Sequence, residues 1–167
     1  MPLFPLLWLF FCYSFLGWVL ETAVSAVRLH RYVDRSVLFG PLCACYGITA
    51  VLLTVGLPEL RGNYFFLFLG SAICSTVVEW IAGHLLEKAT HTRWWDYSMY
   101  RFNLGGFICP QFSLLWGLGS VLLMVVVHPL LSKPSAAIPT LVLIWLDVIF
   151  GGLFLADLIV SAIQAVG

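Results

Sequence analysis

A chain of 167 residues that is 62% hydrophobic and only 10% charged, with a mean hydropathy of +1.02, lies outside the range of water-soluble domains, which are about 45–50% apolar and about 25% charged. Eight Lys and Arg balance eight Asp and Glu, and no basic run or acidic tail offers a surface for nucleic acid or another polyion. The composition points to an integral membrane protein whose first partner is the lipid bilayer.

Five segments supply the roughly 20 largely apolar residues that a helix needs to cross a hydrocarbon core of about 30 Å. They are Leu3 to Val27, Leu38 to Leu57, Tyr64 to Leu86, Gly106 to Val127 and Ile138 to Ile163. The expected fold class is an all-α membrane protein with five transmembrane helices in a single domain over residues 1–167. The first segment lacks the basic start and small-residue cleavage site of a secretory signal, so it reads as a retained span. The connections, Arg28 to Val37, Pro58 to Asn63, Glu87 to Gly105 and His128 to Ala137, are polar or turn-rich.

Arg28, Arg31 and Arg35 lie in the first connection and Lys88, Arg93 and Arg101 in the third, against only Arg61 and Lys133 in the other two. The positive-inside rule then puts the first and third connections and the carboxyl terminus in the cytoplasm of a cell whose plasma membrane holds the chain, with the amino terminus outside. Cys12, Cys43, Cys45, Cys74 and Cys109 form no CxxC pair, and three of them fall near the reducing side. They read as packing residues rather than disulfides or zinc ligands.

An ungapped shift of 66 residues lays Gly17, Leu20, Glu21, Ala23, Arg35, Leu38, Gly40 and Cys43 on Gly83, Leu86, Glu87, Ala89, Arg101, Leu104, Gly106 and Cys109. Fixed-period self-similarity is the mark of repeated architecture. The expectation is a duplicated helical hairpin, residues 3–57 and 64–127. The two copies are parallel repeats about an axis along the membrane normal, and residues 138–163 form an unpaired fifth helix.

Each repeat carries a Glu near the cytoplasmic end of its first helix and an Arg before its second. Glu21 and Glu87 are therefore expected to bond Arg35 and Arg101, within a hairpin or across the pseudo-axis, since an unpaired charge at the bilayer centre costs at least ~2.5 kcal/mol. The plainer alternative is that the four tie down the loops. Glu79 has Tyr13 as its counterpart and breaks the symmetry. With Ser71, Ser75 and Gly83 it forms a stripe at four-residue spacing that faces other helices or a wet cavity instead of lipid. Asp147 and Asp157 do the same for the last segment. Intramembrane carboxylates are functional candidates, with interhelical hydrogen bonding as the structural alternative.

His84, Glu87 and His91 share a helix face at a spacing that would present three ligands to a metal, yet they match neither HExxH nor HxxEH. They read as interfacial histidines, and no metal, cofactor or catalytic residue is expected. Arg93, Trp94, Trp95, Asp96 and Tyr97 make a candidate interface loop, which anchors at headgroup level or grips a lipid headgroup or a partner's helix.

A family likeness is carried by Tyr13-Ser14-Phe15-Leu16-Gly17-Trp18 with Glu21, Phe39-Gly40-Pro41 with Tyr46-Gly47, Glu87-Lys88, Arg93-Trp94-Trp95-Asp96-Tyr97-Ser98, Asn103-Leu104, and Ser113-Leu114-Leu115-Trp116-Gly117. Over about Phe10 to Leu118 the chain resembles the ABC-transporter type IV permease family, small five-helix bacterial membrane proteins. It departs at Asp34-Arg35-Ser36, where the family has Asn-Arg-Gly, and at Gly106-Phe107-Ile108-Cys109, where the family has Gly-Arg-Ile-Cys. The resemblance implies a permease component. The chain holds no GxxxxGK[ST] sequence, so an ATPase subunit would be its partner.

The leading expectation is a transporter component, not an enzyme, with a polar site in the cytoplasmic half between the hairpins. Glu79 would be the deep acid, Glu21, Arg35, Glu87 and Arg101 a charged gate, and Asp147 and Asp157 further lining. So small a bundle is expected to form a homo-oligomer to enclose a cavity. The alternative is a non-transporting interaction or regulatory subunit that docks a partner through its WWDYS loop. A third reading, an interfacial lipid enzyme, would use His84, Glu87 and His91.

Overall fold

A computed structural model describes residues 3–30 and 39–166. Among them the chain is helical, with α1 (Leu3–Leu29), α2 (Ala44–Gly56), a 3₁₀ turn (Pro58–Gly62), α3 (Tyr64–Thr90), α4 (Pro110–Ala136) and α5 (Thr140–Val166). The one extended pairing among them is an isolated bridge between Leu104 and Ile108. Helices α1, α3, α4 and α5 are long and apolar enough to cross a membrane. At 27 residues, α1, α3 and α5 each rise about 40 Å. Ile73, Leu141 and Ile163 are each 67% exposed, an outer surface suited to lipid tails and not to water.

The second expected span is shorter than the sequence suggests. α2 begins at Ala44 and holds 13 residues, a rise of about 20 Å that falls short of a 30 Å core. Leu38 lies outside the described residues. Phe39 to Cys43 are not helical, because Pro41 lacks an N–H and disfavours helix at Gly40, while the N–H groups of Phe39 and Gly40 are taken by Asp157 at 2.8 Å each.

The expected loop from His128 to Ala137 is corrected in the opposite sense, since α4 runs on to Ala136. Pro129 has no N–H, and its ring would clash with the carbonyl of Val125 in a regular helix. The wide turn Leu123–Val127, in which the His128 N–H reaches Leu123 O, sits just before it and lets the helix continue. α3 likewise outlasts its expected end at Leu86. It stops at His91, whose left-handed backbone (φ 52°) and N–H bond to Glu87 O close the last turn.

The described chain divides into two compact units, Met1–Ile48 with Lys133–Gly167, and Thr49–Ser132. Their boundaries fall inside α2 and α4, so they do not coincide with the expected repeats. The α segments Ala44–Gly56 and Pro110–Leu122 do begin and end 66 residues apart, whereas α1 and α3 are offset by 61 residues (64 − 3).

In the first unit α1 lies along α5. Trp8 meets Phe150 edge-on, with ring centroids 6.0 Å apart, and Phe10 meets Phe154 at 5.7 Å. The start of α2 presses into α1: the Cys43 N–H donates to Ser14 O at 2.9 Å, and a Cβ on Gly47 would lie 2.7 Å from the backbone oxygen of Phe10. In the second unit α3 packs on α4. A Cβ on Gly117 would lie 2.8 Å from the Phe68 ring, and Ser75 and Ser120 share a hydrogen bond of 3.2 Å. Leu53, Leu67 and Met124 form the core, with Leu57, Leu60, Cys74, Val121 and Leu123 around it.

Because the oxygen facing Gly47 is backbone and cannot rotate away, Gly47→Ala is expected to lower stability by about 1–3 kcal/mol. Gly119, with nothing within 4 Å of its Cβ position, should tolerate Ala without loss. Thermal unfolding midpoints in one detergent would compare the two variants, and equal midpoints would contradict the packing.

Candidate functional site

In the second unit the chemistry gathers where α3 ends and the chain folds back through residues 92–109. The expected stripe on α3 is its buried face, since Ser71, Ser75 and Gly83 are all buried. Glu79 lies on the same stripe. Its Oε1 accepts the Tyr97 hydroxyl at 2.9 Å and the Trp116 indole N–H at 3.1 Å. One carboxylate oxygen thus joins α3, the loop and α4. The Tyr97 ring stacks on Phe112 of α4, with centroids 4.4 Å apart and planes 12° apart, so an apolar contact aims the hydroxyl.

Glu87 does not bond Arg101 as expected. It accepts Arg93 Nε at 2.7 Å, while the Arg101 guanidinium lies 5.0 Å from the Phe102 ring centroid. The reason is the longer helix: α3 ends at Thr90 and the loop turns back at once, so Arg93 reaches Glu87 and Arg101 is carried to the loop tip. That tip is open, with Met99 95% and Phe102 74% exposed.

Arg93 is a hub. Nη1 donates to Gly105 O at 3.1 Å and lies 3.7 Å from Asp96, and the guanidinium sits 4.8 Å from the Phe107 ring centroid. The Glu87 bond holds its pKa above the ordinary guanidinium value. Asp96 is held below the usual carboxylate range, first by the Ser98 hydroxyl, then by the Ser98 N–H, with the Arg93 charge adding to both. Gly106 closes this cluster in a left-handed conformation (φ 79°), where a Cβ would meet Arg93, Asp96 and Ser98 at 2.7 Å each; only glycine fits.

Trp94 and Trp95 are half-buried. The Trp95 indole N–H donates to Phe107 O at 2.9 Å, so this ring braces the loop from within. His84 lies between Trp80 and Phe107, at centroid distances of 4.3 and 4.0 Å, with Nδ1 2.9 Å from Trp80 O. Among the described residues no three His, Cys, Asp or Glu come together to hold a metal ion.

In the first unit Glu21 accepts the Tyr46 hydroxyl at 2.7 Å, and Gly17 leaves room for that ring, into which a Cβ would run. Arg35, its expected partner, lies outside the described residues. Asp157 uses both oxygens on the Phe39 and Gly40 N–H groups. Asp147 is 7% exposed, and neither of its oxygens has a hydrogen-bond partner among the described residues. Of the candidate carboxylates that are described, Glu21 thus meets Tyr46 and Asp157 meets the Phe39 and Gly40 N–H groups in the first unit, while Glu79 meets Tyr97 and Trp116 and Glu87 meets Arg93 in the second.

The family described as Putative ABC-transporter type IV matches residues 8–162. The chain belongs to this family. No curated protein and no solved structure matches it.

Within this ABC-transporter type IV chain, three positions that matter were not expected from sequence. Trp116 enters the sequence reading only within the likeness; its signal is that an indole N–H inside an apolar helix needs an acceptor. Tyr46 enters the sequence reading through the likeness, as Tyr46-Gly47, with no acid assigned to its hydroxyl. Phe107, where the family has Arg, is 6% exposed and carries the Arg93 guanidinium on its face, so a cation is present there but comes from the loop.

The depressed Asp96 pKa fixes a sign. A carboxyl group whose folded pKa is lowered contributes stability that is present above its unfolded pKa and is lost as pH falls through the folded value. Removing the Ser98 hydroxyl, the largest cause, should move Asp96 upward. In Ser98→Ala, carbon-13 NMR of labelled Asp side chains should show Asp96 titrating closer to the ordinary carboxylate value. An unmoved titration would contradict the assigned cause.

Proposed function

We propose that this chain is the membrane-spanning permease component of an ATP-driven transporter, with loop 92–109 as its coupling element. In this reading a cytoplasmic ATPase subunit acts on the loop, and the Tyr97–Glu79–Trp116 bonds pass the displacement to α3 and α4. Membership of the ABC-transporter type IV family supports the transport role. The observation that carries the coupling role is the single Glu79 oxygen that holds both the loop, through Tyr97, and α4, through Trp116.

The reading places the loop and the carboxyl terminus in the cytoplasm and the amino terminus outside, in the orientation that the basic residues favour. It takes α2, together with the residues leading into it, as a fifth crossing of a single transmembrane domain that works as a homo-oligomer. Glu79 is then a transmitting acid. Glu21, Arg35, Glu87 and Arg101 act as loop and helix-end anchors, and Asp147 and Asp157 line the membrane path.

The open loop tip also favours a second reading, a non-transporting subunit that docks a partner. Its contact surface would be Met99 and Phe102, exposed by 95% and 74%, rather than Trp95, whose indole braces the loop.

Affinity purification of the tagged chain from native membranes separates the two. The permease reading expects an ATPase subunit to come along with both wild type and Tyr97→Phe, while transport by the Tyr97→Phe complex falls by about tenfold, the worth of one charge-assisted hydrogen bond. A co-purified partner without ATPase motifs, or transport unchanged in both Tyr97→Phe and Glu79→Gln, would overturn it.

A further inference from the structure

The first unit contains a cavity of about 790 Å³ between α1, the residues leading into α2, and α5, within the 300–1,000 Å³ range of small-molecule sites. Its walls are aromatic and aliphatic: Trp8, Phe11 and Phe15 from one side, Phe150 and Phe154 from the other. Among the described residues no Lys, Arg or His lines it, and its one carboxylate is Asp157. Phe15 and Phe39 are 46% and 62% exposed, so the mouth opens at the surface of the unit.

We propose that this cavity binds an organic cation with an apolar body, and that Asp157 supplies the counter-charge. Three observations converge on that chemistry. A carboxylate in an apolar cavity is costly to leave without a positive partner. The faces of aromatic rings carry negative potential and attract cations, most strongly where water is excluded. The volume suits a drug-sized molecule and is far too large for an ammonium or metal ion, which would leave the rings untouched. An acyl chain would fill the walls but make no use of the acid.

Asp157 also has acceptor capacity to spare. A carboxylate offers about four lone-pair positions, and here Oδ1 takes the Phe39 N–H and Oδ2 the Gly40 N–H, both at 2.8 Å, with the Ser161 hydroxyl at a long 3.4 Å from Oδ1. The two backbone bonds fix the carboxylate in place and leave Oδ2 with an open position. The assignment names a substrate class for the permease reading and rests on it only for the word substrate; binding is measurable apart from transport.

The probe is tetraphenylphosphonium, with tetraphenylborate as a control of the same shape and opposite charge, titrated calorimetrically into the full-length chain in nanodiscs. Saturable binding of the cation, at least about tenfold tighter than the anion, is the expected result. Asp157→Asn should weaken cation binding by about tenfold or more. Because Asp157 also holds backbone, Ala156→Trp, which fills the cavity without removing those bonds, should give the same loss. Equal binding of the two ions, or full cation binding by either variant, would overturn the site. Cation binding with no ATPase partner would leave the site standing and remove the permease reading; a co-purified ATPase with no cation binding would do the reverse.

Discussion

A polar group inside an apolar helix can draw partners only from the protein, because lipid offers none, and among the described residues Glu79, Asp157 and Glu21 do so where Asp147 does not. That constraint organises the described structure. Glu79 draws the loop after α3 back onto the helix pair through Tyr97 and holds α4 through Trp116. Asp157 takes the two N–H groups of Phe39 and Gly40 and so fixes the residues that lead into α2. Glu21 is met by Tyr46. In each case the donor arrives from a different segment, so satisfying one acid also sets the path of the chain.

The same constraint decides which residues must be small. Where Tyr46 passes α1 there is Gly17, and where Phe107 passes α3 there is Gly83, whose added Cβ would lie 2.6 Å from that ring. The Asp96–Ser98–Arg93 cluster closes only because Gly106 leaves its centre empty and adopts a positive φ. Side chains that face outward carry no such limits and are mostly Leu, Ile, Val and Phe, as the surrounding hydrocarbon favours. The widened turn before Pro129 is a further local adjustment, one that keeps α4 continuous where a regular helix would break.

Much of the helical layout was legible from hydropathy, and the buried stripe of Ser71, Ser75 and Gly83 was legible from its spacing. Both depend on local pattern alone. The partner of Glu87 was not. Arg101 occupies the repeat position of Arg35 and looked like the partner of Glu87, but α3 runs four residues beyond its apolar stretch, and that length hands Glu87 to Arg93. Hydropathy cannot see such an extension, since Glu87, Lys88 and Thr90 are polar residues that a helix end accommodates readily. α2 failed in the other direction, because its lead-in is apolar yet held out of helix by Pro41 and Asp157, the latter 116 residues away from it in sequence (157 − 41). The donors to Glu21 and Glu79 were equally hidden, being set by tertiary approach and not by spacing.

The central claim is that Glu79 latches the loop to the helices, and amide hydrogen exchange read by mass spectrometry addresses it directly. In Glu79→Ala, peptides covering residues 92–108 should exchange about tenfold faster or more than in the wild type, while peptides from α1 keep their rates. Unchanged exchange across 92–108 in a folded Glu79→Ala protein would contradict the account.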